Sequence, residues 1–387
     1  MDIPHTPVFY AFFIYLNHNF YLFLNEAKLS DELRNELISA GIRIFEYDYF
    51  YEFLQNISDD VILADFNQLN YHAYNLLVTS NKLIHLDNPI DHLKAIKNER
   101  EIEGMKLAHL YDGASVVRLL KWLDESDKEG LDEVIVADKL LEFRLANKAI
   151  DSSFDTIAGY NANGAIIHYH ALKESCAKLK NEGILLLDSG AQYPFGTTDI
   201  TRTIALGNVT SEMKKHYTIV LAAFIELSKA IFLEKTKPMQ LDILARKEVY
   251  KYGLDYRHGT GHGVGMALSV HESPPNFAMA IRKTTSVDLK EGMIFSNEPG
   301  LYFDNKYGIR LENLLYVEKK FESEYGTFYG FNHLTYVPFD LNLIDVNYLN
   351  KDQIDYLNDY HKEVYHKLES YLNDDEKEYL MNLTRSL

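Results

Sequence analysis

Two carboxylates flank one short turn, and that pairing limits the possible folds more than any other stretch of the chain. The run Asp188-Ser-Gly-Ala-Gln-Tyr-Pro-Phe-Gly-Thr-Thr-Asp199-Ile-Thr-Arg202-Thr starts where the apolar segment Ile184–Leu187 ends in a carboxylate. It turns through Pro194 and Gly196 and resumes as a Thr/Ile-rich strand. This reads as a β-hairpin with one Asp on each arm. Carboxylates held together across a hairpin repel each other and lose solvation unless a cation lies between them, so the pairing fits a metal site. The plainer alternative is that Asp188 opens a turn and Asp199 is solvated.

Four further segments place polar residues where strand sequence would otherwise be apolar. In Ile166-Ile-His168-Tyr-His170 a histidine follows an apolar pair, a pattern that a satisfied core histidine shares. In His258-Gly-Thr-Gly-His262-Gly-Val-Gly265 glycine at every second position strips one face of side chains, so backbone can approach something closely while the histidines project. The dinucleotide fingerprint GxGxxG fits in neither register, because Val264 and Met266 stand in its way. Val270-His271-Glu-Ser-Pro-Pro275 is not a zinc-protease HExxH helix, since Pro274 and Pro275 block the helix and no second histidine follows. The last segment pairs Glu298 before Pro-Gly with Gly308-Ile-Arg310-Leu-Glu312, where Ile309 and Leu311 take one face and Arg310 and Glu312 the other. Turn and half-solvated strand are the alternatives there.

Together Asp188, Asp199, His262, Glu298 and Glu312 offer four carboxylates and one imidazole. Two divalent cations would balance four buried negative charges, and oxygen-rich ligation with a single nitrogen points to Mn²⁺ first, with Co²⁺ or Zn²⁺ as alternatives.

Composition narrows the partners. A formal net charge of −18 argues against nucleic acid or an anionic membrane. Cys176 is the only cysteine, so no intramolecular disulfide forms. No apolar run reaches membrane-spanning length, and the apolar Val8–Leu16 lacks a basic flank and is interrupted by Asn17-His18-Asn19; the expectation is a soluble, cytoplasmic protein.

The fold class expected is α/β (α+β) in two parts. Residues 1–92 read as a small α/β unit with strands at Val8–Leu16, Phe20–Leu24, Ile42–Glu46, Val61–Ala64 and Leu83–His85 and a helix at Asp31–Ala40, its first strand lacking cover on one edge. In 93–387, one helix is expected over Leu93–Asp124, with Ile102, Met105, Ala108, Val116 and Leu119 on its apolar face and Gly113 as its weak point. A second covers Val134–Leu145, strands follow at Ile157–Gly159 and Ala165–His168, then helices at Ser211–Leu233 and Leu241–Tyr252. Short strands fill the chain to Phe339, an amphipathic helix spans Lys351–Tyr371, and the charged Asp374–Lys377 is expected to fray.

At this point five blocks resemble, in order, those of the pita-bread metallopeptidases, and within them the Xaa-Pro aminopeptidases: DSGAQYPFGTTDITRT, LDYRHGTGHGVG, VHESPP, EPGLYF and GIRLENLLYV. The likeness extends to the closing VPFDLNLIDV. It implies a pita-bread catalytic domain over 93–387, preceded by a segment that resembles only the later half of the second of two domains carried by full-length relatives. It also implies that Asp188, Asp199, His262, Glu298 and Glu312 are ligands of two metals, with Asp199 and Glu312 bridging. His168, His258 and His271 would line the substrate cleft, and Arg310 would steady the carboxylates. The implied reaction is hydrolysis of the bond between an N-terminal residue and a following proline in a peptide, with His258 and His271 stabilising the oxyanion and protonating the leaving nitrogen. Ser273 departs from the family, which usually has Gly there. A prolidase, or Xaa-Pro dipeptidase, would share every ligand, although GTTDITRT and the closing VPFD lean toward the aminopeptidase. A non-catalytic pita-bread binding module would be expected to have lost ligands. A homodimer is compatible with the chain.

Overall fold

The computed structural model describes residues 2–387. Residues up to Ile3 together with Val8–His92 form one compact unit, and Pro4–Pro7 with Leu93–Leu387 form the other.

In the smaller unit Ala11–Leu16 and Asn19–Leu24 pair antiparallel across Asn17-His18, both of which hold positive φ as a two-residue hairpin requires. Asn19–Leu24 then pairs in parallel with Ile42–Glu46, a crossover that the intervening helix Asp31–Ser39 makes possible. Val61–Ala64 and Lys82–His85 form a second parallel pair. Phe23, Phe50, Leu54 and Leu77 close the core, and Phe12 stacks on Phe50 at 3.8 Å. In the three-stranded sheet Ala11–Leu16 is the edge strand.

The larger unit departs from the expected single helix at its first element. The chain leaves helical conformation after Ala95, and a capping box between Asn98 and Glu101 starts a separate helix, Glu99–Glu125. Between them the Lys97 N–H donates to the Gly292 carbonyl at 3.0 Å and Ile96 bridges Met293, so the break ties this segment to a distant strand. Ile102, Met105, Ala108, Val116 and Leu119 are all buried, as the periodicity requires. Gly113 is no weak point. The helix runs straight through it, and a Cβ there would lie 2.6 Å from the Tyr336 carbonyl oxygen and 3.1 Å from Leu368.

Next come the helix Glu133–Ala146 and an antiparallel sheet in which Ile184–Ser189 lies between Ile157–Tyr160 and Ile200–Ala205. The strand expected at Ala165–His168 is a 3-10 turn, Asn161–Ala165, followed by irregular chain. Gly159 and Gly164 pack backbone to backbone, with a Cβ on Gly159 only 2.7 Å from the Gly164 Cα, so the chain folds back where an extended strand would have carried on.

A second antiparallel sheet has the order Ile231–Leu233, Gly326–His333, Asn313–Ser323, Ile294–Asn297. Its first strand was expected as the end of a helix. The helix stops at Ser228, and Ile231-Phe232-Leu233 pairs with Phe328–Gly330 instead, which buries Phe232 against the core while Ile231 and Leu233 stay exposed. Helices Ser211–Ser228, Pro238–Tyr250 and Lys351–Leu368 contribute to the same core, with Phe224, Phe277, Phe295 and Phe331 at its centre. The C-terminal stretch does not fray. Asn373 and Glu376 form a capping box, and Asp374, Asp375 and Glu376 fall in the first turn of the helix Asp374–Leu383, where the helix dipole favours negative charge.

Gly113→Ala should therefore lower stability by roughly 1–3 kcal/mol, overpacking outweighing the better helix propensity of Ala. Urea unfolding of the two chains measures this, and an unchanged or raised midpoint contradicts the packing argument.

Candidate metal centre

Close backbone approach sets the geometry of the site. In the Asp hairpin, Asp188 lies opposite Thr201 and Ser189 opposite Ile200, while Asp199 falls just outside the strand pair. Beyond it the arms cross so tightly that a Cβ on Gly190 would lie 2.0 Å from the Thr198 carbonyl oxygen. One carboxylate therefore sits on each arm beside that crossing. The alternating glycines do what their spacing suggested. Added Cβ atoms at Gly261 and Gly263 would lie 1.7 Å from the Ser296 carbonyl and 2.1 Å from that of Glu272. The short strand Gly261–His262 is thus pressed between the segment leading to Glu298 and the segment carrying His271.

These constraints bring Asp199, His262 and Glu312 together, each offering a ligand atom within 4.8 Å of the others. His262 Nε2 lies 3.4 Å from Asp199 Oδ2 and 3.5 Å from Glu298 Oε1. Its Nδ1 is 3.0 Å from the Gly263 carbonyl, so Nδ1 carries the proton and the Nε2 lone pair faces the carboxylates. Glu312 Oε2 accepts from the Thr201 hydroxyl at 2.7 Å, and Glu298 Oε1 from the Ser296 hydroxyl at 3.0 Å. Asp188 Oδ2 accepts from Arg310 at 2.5 Å, while its Oδ1 is buried with no hydrogen-bond partner.

The electrostatics are those of a pocket short of positive charge. Burial, and then the neighbouring Asp188 and Glu298, push the Asp199 carboxyl well above the usual range; burial, then Asp199 and Glu298, do the same to Glu312. Glu298 goes the other way, because His262, His258 and Arg310 outweigh its burial. An orphaned carboxylate oxygen, two carboxyls that resist ionising and an imidazole lone pair turned toward them make a donor set that fits divalent cations. Arg310 corrects the charge balance, however. With its guanidinium on Asp188, the formal charge of the pocket with all four carboxylates ionised is −3, not −4, and charge alone no longer selects two dications over one.

The three cleft histidines are placed differently from one another. His258 has both ring nitrogens engaged, Nδ1 with the Gly259 carbonyl at 2.7 Å and Nε2 with the Tyr302 hydroxyl at 2.9 Å, and Arg310 donates to that same hydroxyl at 2.8 Å. Burial holds its imidazole below the ordinary value. The His271 ring lies edge-on to His262 with centroids 4.1 Å apart. Partial burial, then repulsion from His262 and His168, pushes its pKa down to about 4 against the opposing pull of Glu298, although the residue also reaches solvent. His168 is exposed in the turn after the 3-10 helix.

Four supporting residues carried no signal strong enough to be read in advance. Thr201, Ser296 and Tyr302 are hydroxyls within strands, the only hint being polar residues in otherwise apolar elements. Lys97 is the fourth. Its side chain is 2 % exposed and donates to Glu272 Oε1 at 2.9 Å, while Lys94 lies 2.9 Å from Oε2. Burial lowers the Lys97 pKa and Glu272 opposes that shift. The pair fixes the residue next to His271 from a segment some 175 positions away.

Residues 103–319 match the model of metallopeptidase family M24, residues 327–387 that of its C-terminal region, and residues 1–101 that of a creatinase/prolidase N-terminal domain. The chain belongs to metallopeptidase family M24, and its fold is the pita-bread arrangement of that family with an N-terminal domain. It is 39% identical to Aminopeptidase P2 of Arabidopsis thaliana, over 100% of this chain and 59% of that protein. To a Neurospora crassa protein named "Probable Xaa-Pro aminopeptidase P" it is 40% identical, over 97% of this chain and 57% of the other. The chain thus spans a little under three-fifths of these curated relatives. The crystal structure of a Caenorhabditis elegans X-prolyl aminopeptidase, described as a cytosolic enzyme with a di-nuclear active site, superposes with a TM-score of 0.92 at 30% identity, covering 100% of this chain and 65% of that one. Prolidase from Pyrococcus furiosus gives 0.66 at 26% identity, over 84% and 89%.

Two outcomes are expected. A carboxyl whose pKa is raised by folding adds stability that is fully present below its unfolded value, near 3.8 for Asp199, and lost as pH rises through the folded value. The metal-free chain should thus lose melting temperature more steeply as pH rises above 3.8 than its Asp199→Asn variant, and excess divalent cation should flatten the native slope only; equal slopes without metal would contradict the crowding of the carboxylates. Lys97→Met should destabilise by roughly 3–5 kcal/mol, the cost of stranding a buried carboxylate, as read by urea unfolding. A change under about 1 kcal/mol would mean that Lys94 alone satisfies Glu272.

Proposed function

We propose that this chain is a metal-dependent aminopeptidase that hydrolyses the bond between an N-terminal residue and a following proline, acting in the cytoplasm on peptides with proline at position two. The observation that carries this reading is the meeting of Asp199, His262 and Glu312 beside Asp188 Oδ1, in a chain whose similar relatives are named for Xaa-Pro aminopeptidase activity. Asp188, Asp199, His262, Glu298 and Glu312 would hold two divalent cations, Mn²⁺ before Co²⁺ or Zn²⁺. The di-nuclear site described for the nematode enzyme supports the number two, which the charge balance does not. When bound, such ions supply an acidified water and polarise the scissile carbonyl.

The remaining work falls to the chain's own groups. His271 has no hydrogen-bond partner among the described residues and is neutral at physiological pH, so its ring N–H is free to donate to the carbonyl oxygen as charge develops there. His258 is less free. With Nε2 accepting from Tyr302, and Tyr302 in turn held by Arg310, it can meet the substrate only by giving up that bond, and its role is to hold the cleft wall in register with Asp188. Arg310 thereby links a carboxylate to a histidine through one phenol. His168, exposed beside His271, borders the substrate's path.

The test is release of the first residue from an Xaa-Pro-Xaa tripeptide. Activity should require Mn²⁺, vanish with chelator, return on adding metal back, and fall at least ~100-fold in kcat/KM in His262→Ala, beyond what loss of a merely supporting partner costs. An Xaa-Pro dipeptide should be the poorer substrate, and preference for it would favour the dipeptidase reading. Activity that survives both chelator and His262→Ala would refute the metal mechanism.

A further inference from the structure

Away from the carboxylates, the larger unit contains a cavity of about 490 Å³ between the long helix Glu99–Glu125, the strand pair Asn313–Ser323 and Gly326–His333, and the helix Lys351–Leu368. That volume is ordinary for a small-molecule site. None of the five candidate metal ligands lines it.

The charge of its wall is opposite to that of the molecule. The chain carries 57 acidic and 39 basic residues, yet four lysines and a single carboxylate, Glu363, face this cavity. Two of the lysines are already matched, Lys229 by Asp352, and Lys320 by Glu318 at 3.1 Å and the side-chain oxygen of Asn332 at 2.8 Å. The other two are not. Lys106 Nζ sits 4.9 Å above the Tyr316 ring and Lys367 Nζ 5.6 Å above the Tyr336 ring, and among the described residues neither has a carboxylate within 4.0 Å. Each ammonium therefore lies over an aromatic face that holds it in place, with no carboxylate of the described residues in ion-pair contact. Cations gathered in a concave wall focus their field into the space between them.

Tyr316 and Tyr336 are themselves buried, so the platforms beneath the two lysines are fixed parts of the fold. Tyr336 is further held by donating its hydroxyl to the His333 carbonyl at 3.2 Å. Asn332 donates to both Tyr316 and Glu318, which ties the Lys320 side of the wall to the Lys106 side.

We infer that this cavity binds a small polyanion, a molecule with two or more phosphate or carboxylate groups spaced to meet Lys106 and Lys367. A long nucleic acid is excluded by the overall charge of −18 and by Glu363 in the wall, which disfavours a continuous run of negative charge but leaves room for discrete anionic groups. Lysine suits such a ligand as a mobile point charge with three donors.

The experiment is titration calorimetry on the full chain at low ionic strength, run both loaded with Mn²⁺ and stripped of metal, with fructose 1,6-bisphosphate as the phosphate probe and tricarballylate as the carboxylate probe. One saturable site for at least one probe is expected, with the same affinity in both metal states, since the cavity does not include the carboxylate cluster. Lys367→Glu, at an exposed position where folding is not at stake, should weaken binding at least tenfold, and Lys106→Gln should also weaken it. Lys351→Gln, which removes a lysine paired with Asp355 outside the cavity, should leave it unchanged. Whichever probe binds more tightly identifies the anionic group. Absence of saturable binding by both probes, binding only in the metal-loaded state, or unaltered affinity in Lys367→Glu overturns the assignment.

Discussion

Negative charge gathered in a dry place is the constraint on which the larger unit is built. Asp188, Asp199 and Glu312 are all buried, and Glu298 lies close enough to act on the last two. Removing carboxylates from water is unfavourable, and holding them against one another adds to it. The protein answers only part of that cost, with one guanidinium on Asp188, two hydroxyls on Glu312 and Glu298, and one imidazole facing Asp199 and Glu298. It leaves Asp188 Oδ1 with nothing. A fold that merely needed to be stable would have replaced such a pocket with apolar packing, so its retention is the physical argument for cation binding.

Bringing those groups together depends less on the charged side chains than on the absence of other side chains beside them. At Gly190, Gly261 and Gly263 any Cβ would collide with a carbonyl oxygen of the facing segment. Each of these contacts lets two backbone segments lie closer than ordinary strands, and each sits within two residues of Asp188, His262 or both arms of the hairpin. The buried ion pairs then act as fixings at longer range. Arg144 holds Asp112 at 2.7 Å and reaches the Gly190 carbonyl at 3.2 Å, clamping the hairpin crossing to the helices Glu99–Glu125 and Glu133–Ala146. Lys97 does the same for the segment behind His271.

This division explains what could be read from the amino-acid order alone. The hairpin, the glycine alternation and the apolar faces of the helices are local patterns, and all three stand in the structure as their periods demanded. Where a local pattern misled, a partner far along the chain had decided the matter. Ile231–Leu233 looks helical until Phe328–Gly330 lies beside it, and Gly113 looks like a defect until Tyr336 and Leu368 press against it. Asp374–Lys377 looks like a fraying tail until the cap at Asn373 turns its charges into a helix start. Asp199, His262 and Glu312, which the fold brings together, each lie in a short motif with its own turn or strand signal, as do Asp188 and Glu298. Tyr302, Thr201 and Lys97 carry no such signal, since a hydroxyl or an ammonium gains meaning only from what it touches.

Arg202 shows how far such long-range dependence extends. It follows Asp199 by three residues and is itself buried, with its plane 4.1 Å from the Phe339 ring. Its guanidinium donates to the carbonyl of Glu312 at 2.7 Å, to the side-chain oxygen of Asn313 at 2.8 Å, and to the carbonyls of Val337 and Pro338 at 2.7 and 3.1 Å. The Tyr360 hydroxyl, from the helix Lys351–Leu368, meets the same guanidinium at 3.2 Å and donates to the Val337 carbonyl at 2.8 Å. One side chain therefore joins the hairpin that bears Asp199, the strand that bears Glu312, and the closing segment with its helix. A lysine could supply the charge but not a planar set of donors pointing in several directions at once. The blocks GTTDITRT and VPFD, some 135 positions apart in the chain, thus meet at a single buried guanidinium. That contact makes the C-terminal region part of what holds Asp199 and Glu312 at their spacing, and not an appendage to a domain already complete without it.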